Sequence, residues 1–249
     1  MKRFASTPST SKATACAVAC AMVFPSVLTW TYFEMLAHRP PIVQQSVYVV
    51  GKTLQFGFPL LWALCVAGEK IQWPWPSRRG LTPGIAFGLL VCLAMAALYF
   101  GAFKPFGLLV QPGREVRAKI LQLGLQQLWK YAAVGVFYAL CHSLLEEYYW
   151  RWFVFGRMRA FLPLPAAIAV SSAGFTAHHL ILLARYFGWQ SPWTYLLCLG
   201  IAAGGAVWAA MYQRSGSLYG PWASHGLVDA AIFALGFDLA GDMFLGRAG

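Results

Sequence analysis

The sequence predicts an all-α fold: a polytopic transmembrane helical bundle of about seven to eight spans. Three observations carry the spans. Only 11% of the 249 residues are charged, against roughly 25% in soluble domains. Mean hydropathy is +0.57. Several stretches run about 20 residues with hardly a charge, the length needed to cross a bilayer. The formal net charge of +11 then reads as Lys and Arg at helix ends facing anionic headgroups. The expected partner is therefore the lipid bilayer. No nucleic acid is expected, since no basic stripe accompanies aromatics on a polar surface.

The stretches expected to span are 13–33, 46–68, 84–103, 131–150, 165–184, 193–212 and 217–237. The first follows Lys2, Arg3 and Lys12, contains Pro25 and lacks a small-residue cleavage site before Trp30, so it reads as an uncleaved span. The second contains Lys52, which weakens the stretch or places that residue near an interface. An eighth span follows if this stretch is two short segments. WPWPSRRG, from Trp73 to Gly80, reads as a Pro-rich interfacial loop. After the third stretch come Arg114, Glu115, Arg117 and Lys119, then ILQLGLQQLW. That segment is too polar to span and suits an amphipathic surface helix. Six cysteines, Cys16, Cys20, Cys65, Cys92, Cys141 and Cys198, sit in apolar runs with no C-x-x-C pair. They read as small buried apolar residues, neither a disulfide framework nor a zinc cluster. With no repeat, low-complexity tract or soluble segment, residues 1–249 read as one membrane-embedded domain. Lys and Arg divide almost evenly between alternate loops, so no membrane side follows.

The information lies in the polar residues inside apolar stretches, each of which costs at least about 2.5 kcal/mol at membrane depth. Three places qualify. In LLEEYYWRW, Glu147 and Arg151 are helical i, i+4 neighbours with the acid first, the better order for a pair. Glu146 is rotated about 100° away and left to face something else. The bland alternative is an interfacial charge cluster with an aromatic belt, which suits Arg151 and the aromatics better than two adjacent acids. In SSAGFTAHHL, Phe175 and His179 are i, i+4, and His178 is expected to point elsewhere. In WASHGLVDAAIF, His225 and Asp229 share one helix face. A lone buried histidine is usually a satisfied packing residue, but here three polar groups on three stretches would each need a private partner. Convergence in one bundle core is the more economical arrangement.

These motifs, E-E-x-x-x-R at 146–151, F-x-x-x-H at 175–179 and H-x-x-x-D at 225–229, come in the order that resembles the CPBP family of intramembrane proteases. These are the CAAX prenyl endopeptidases and their bacterial relatives, also called the Abi family. The resemblance covers a protease core at about 131–237, and EEYYWRW is similar to bacterial members that process C-terminal sorting signals, the myxosortases. It implies a polar cavity opening to water and an intramembrane glutamic endopeptidase. The implied substrate is a membrane-anchored protein or peptide, and the implied location is a bacterial inner membrane. By motif position, Glu146 and His179 activate water, and His225 and Asp229 stabilise the oxyanion. Glu147, Arg151 and Phe175 support the site.

Family members often carry Asn where this chain has Asp229. An ionised Asp cannot donate to an oxyanion; it orients His225, or it is protonated in a dry site. No metal cofactor is expected. Zinc is the lesser alternative, because Glu146, His179, His225 and Asp229 are all competent ligands while the H-E-x-x-H signature is absent. Two other function classes fit an intramembrane acid–histidine set: a proton-coupled transporter and a non-catalytic protease-like scaffold. The first lacks an inverted repeat. The second gives no physical reason to keep buried acids.

Overall fold

The computed structural model describes residues 8–69 and 78–244. Regular structure among them is entirely helical, an arrangement that satisfies backbone groups within each segment where lipid offers no hydrogen-bond partner. Six helices are long and apolar enough to cross a membrane: Lys12–Met35, Pro41–Val66, Leu81–Phe103, Leu128–Met158, Leu164–Phe187 and Pro192–Ser215. They match the first six expected stretches, and the second is continuous rather than split. The seventh stretch is helical, as Tyr219–Leu239. It carries His225, Asp229 and Asp238 and is not among the six. The polar segment after the third span forms the helix Val110–Gln122. Of the Pro-rich loop expected over 73–80, only Arg78–Gly80 lies within the described residues, where Gly80 takes the left-handed φ of +80° ahead of the third span.

The chain divides into two compact units: Met1–Ser77 with Glu146–Arg214, and Arg78–Leu145 with Ser215–Gly249. In the first, the buried core is the run Tyr149, Trp150, Phe153, Val154 and Phe155. Phe58 and Trp62 of the second span pack edge-on against Phe153. The Tyr149 hydroxyl donates to the Ala21 carbonyl at 2.6 Å. Arg157 forks onto both oxygens of Glu69 and lies over the Trp62 ring at 5.2 Å, tying the end of the fourth span to the end of the second.

The second unit is built on close backbone approach. A Cβ on Gly84 would sit 2.2 Å from the Gly220 carbonyl oxygen, and one on Gly226 would sit 2.4 Å from that of Ala139. Small residues at such contacts are how membrane helices associate without a hydrophobic drive between them. Asp238 closes this unit's other end, accepting from the Tyr99 hydroxyl at 2.6 Å and the Lys104 ammonium at 2.7 Å.

Candidate active site

Glu146 and Glu147 end a short α-helical turn, Ser143–Glu147. That turn lies between two π-helical segments of the same span, Tyr138–His142 and Tyr148–Phe155. π-helical turns cluster at functional sites, where the wider turn re-aims side chains. Both acids are buried, at 2% and 0% exposure. A carboxylate so placed needs a partner or a task.

Glu147 has a partner. Its Oε2 lies 3.1 Å from Arg151 Nε, the i, i+4 pair expected from the sequence. The guanidinium lies over the rings of Phe175, at 4.8 Å, and Trp208, at 5.2 Å, which pack against each other at 6.0 Å. It also donates to the Gly205 carbonyl at 3.4 Å. Arg151 therefore joins the fourth, fifth and sixth spans, and Phe175 is one of the two rings it covers.

Glu146 faces two histidines. One oxygen or nitrogen from each of Glu146, His178 and His179 lies within 4.8 Å of the other two. His178 Nε2 is 3.6 Å from Glu146 Oε1, and its ring stacks parallel on Trp150, with centroids 5.8 Å apart and 4° between planes. The expectation that His178 points away is corrected here. Its ring centroid is only 4.1 Å from that of His179, because a rotation of about 100° separates two adjacent rings less than a site of this width requires. His179 Nδ1 lies 2.9 Å from the Phe175 carbonyl oxygen. A carbonyl only accepts, so Nδ1 carries the hydrogen and Nε2 of the neutral ring is an acceptor.

Lys52 differs from the sequence expectation too. It lies about 16 Å along the second span from Pro41, toward the middle of Pro41–Val66 rather than at either end. Its ammonium sits over Tyr48 and Phe56, at 5.6 and 5.3 Å, within electrostatic reach of Glu146 and His178.

His225 and Asp229 belong to the second unit. His225 Nε2 lies 3.8 Å from Asp229 Oδ1, one helical turn on. The close approach of Gly226 to Ala139 and a 2.9 Å bond from Trp222 Nε1 to the Leu140 carbonyl fix this stretch of helix against Tyr138–His142. Of the four expected catalytic residues, Glu146 and His179 are thus together in one unit, and His225 and Asp229 are together in the other.

Residues 128–231, which contain Glu146, Glu147, Arg151, Phe175, His178, His179, His225 and Asp229, match the family model described as Type II CAAX prenyl endopeptidase Rce1-like. The matched segment is a CPBP-family domain. No curated protein and no solved structure matches the chain. With six helices of membrane-crossing length and apolarity among the described residues, the protein is a multi-pass integral membrane protein, and its matched segment is similar to intramembrane CAAX-type proteases.

The donor set around Glu146 also bears on metal. Glu146, His178 and His179 are one carboxylate and two imidazoles, a ligand set that zinc accepts with water in a fourth position. The Nδ1–H of His179 on the Phe175 carbonyl is the kind of outer contact that steadies a ligating ring. This set differs from the one expected from sequence, which had His225 and Asp229 in place of His178. The sequence expectation turned His178 away from the site, although two adjacent histidines in an apolar run were the signal for it.

Proposed function

We propose that the protein hydrolyses a peptide bond near the membrane-anchored or C-terminal segment of a protein or peptide substrate, as an intramembrane glutamic endopeptidase. The observation that carries the proposal is a carboxylate buried to 2% exposure beside two imidazoles, while its neighbour Glu147 is taken up by Arg151. Glu146 is the base. It removes a proton from water as the water oxygen bonds to the scissile carbonyl carbon, then passes that proton to the amine as the C–N bond breaks. His179, whose Nε2 is the acceptor, orients the water. His225 donates to the oxyanion, and Asp229 holds the His225 ring and its charge. The resemblance of Glu146–Trp152 to bacterial sorting-signal proteases supports a bacterial cytoplasmic membrane as the location.

A second reading is favoured by the Glu146, His178 and His179 set. A divalent metal held there would supply a polarised water. The two readings part in one experiment on purified enzyme, assayed with and without exhaustive chelation. The glutamate reading expects activity to survive chelation and no stoichiometric zinc in the protein. Glu146→Gln, which keeps the shape but cannot take the proton, is expected to abolish cleavage. Asp229→Asn is expected to retain substantial activity, since an amide can donate to an oxyanion. Loss with chelator and rescue by stoichiometric zinc would overturn the metal-free mechanism. In membranes, comparing protein C-termini between wild type and Glu146→Gln reads out the substrate.

A further inference from the structure

We propose that His178, which the family motif does not include, is a positioning residue that holds Glu146 by one oxygen. This inference rests on the reading of Glu146 as the base. Three observations carry it. The imidazole is buried and its Nε2 lies 3.6 Å from Glu146 Oε1, within ion-pair distance and a few tenths of an ångström beyond hydrogen-bond length, a gap that the proposed donation closes. The ring is held flat against Trp150, 5.8 Å between centroids and 4° between planes, and edge-on to Phe175 at 5.7 Å. Trp150 and Phe175 are themselves buried and packed edge to face at 5.8 Å. The ring's plane is therefore set by two side chains that cannot move far.

The chemistry follows from what each group can offer. An ionised carboxylate only accepts hydrogen bonds. The ring nitrogen that faces it must then carry the hydrogen, so His178 presents Nε2–H to Oε1. With Oε1 engaged, Oε2 is left to take the proton from water. His179 stands beside it in the opposite role: its Nδ1–H is spent on the Phe175 carbonyl, and its Nε2 accepts. Adjacent histidines thus divide the work, one a donor to the base and one an acceptor for the water. A base so held points its reacting oxygen in a fixed direction; one held by a single side-chain torsion does not.

The test is steady-state kinetics on purified enzyme in one detergent, with a peptide substrate obtained from the C-terminal comparison. His178→Phe keeps the flat ring against Trp150 and removes the nitrogen. His178→Gln keeps an N–H near the position of Nε2. We expect His178→Phe to lower kcat by about 10²-fold or more with KM little changed, and His178→Gln to recover at least tenfold of that loss. Both proteins should elute and melt as wild type. Wild-type kcat in His178→Phe would overturn the inference. So would loss in both variants with equal loss of folded protein, which would make the ring a packing residue only. A fall in bound zinc that tracks the fall in activity would also overturn it, making His178 a ligand. Glu146→Gln run alongside separates the two proposals. If it stays active, the base assignment fails. If it is dead while His178→Phe is normal, only the role of His178 fails.

Discussion

Two carboxylates one residue apart meet opposite fates in this site. Glu147 is bound to an arginine that lies over two aromatic rings, while Glu146 is turned toward imidazoles. Arg151→Ala is therefore expected to destabilise the fold by about 3–5 kcal/mol, because it strands a buried charge. The measurement is folded yield and melting temperature in detergent. A Glu147→Leu, Arg151→Met pair, which removes both charges at similar volume, should recover most of the loss. A stable but inactive Arg151→Ala would instead move that side chain into substrate binding. The Glu147–Arg151 pair was legible in the sequence because i, i+4 spacing and charge order specify it without reference to any other helix. The contact of His178 with Glu146 was not legible. A rotation of about 100° tells where a side chain starts, not how wide the site is, and only the fifth span's placement beside Trp150 settles that.

At the scale of elements, the glycines of the second unit decide how closely helices meet. Gly226→Ala is expected to destabilise by about 1–3 kcal/mol, because its Cβ would strike the Ala139 backbone at 2.4 Å, which a side-chain rotation cannot relieve. The same substitution at Gly57, where a Cβ meets nothing within 4 Å, is expected to leave stability unchanged or raise it slightly. Melting both variants checks the pair. If both behave alike, backbone approach does not limit this interface. Gly226 also adjoins His225, so its variant should lose activity out of proportion to unfolding. The helices themselves were legible from apolar run length. Their π-helical segments were not, since Tyr138–His142 and Tyr148–Phe155 use the same residue types as the α-helix around them.

Across the whole molecule, the cysteines test the reading most simply. All six are free thiols, as their scatter through apolar runs suggested, but the expectation that they are buried is corrected: only Cys198 is buried, while Cys16, Cys20, Cys65 and Cys141 lie exposed on helix surfaces. Denatured protein should titrate six thiols without prior reduction, and reductant should not shift the melting temperature; a shift of several degrees would reveal a bridge. The division into two units was beyond the sequence for a physical reason. Where lipid is as apolar as a core, a helix is greasy on every face and its pattern does not say which face is buried. Only glycines opposite glycines, such as Gly84 and Gly220, record a partner, and they do so in pairs that sequence alone cannot match.

The π-helical segment Tyr148–Phe155 has a further effect on timing around the helix axis. Its bonds reach one residue further than those of an α-helix, so each residue advances through a smaller angle. Arg151 and Arg157 are thereby clocked onto different neighbours: the first to Gly205 and Trp208 on the sixth span, the second to Glu69 and Trp62 at the end of the second. The count of residues between these arginines is thus a phase constant. A substitution there changes one contact, whereas an inserted or deleted residue would swing one of the two anchors off its partner.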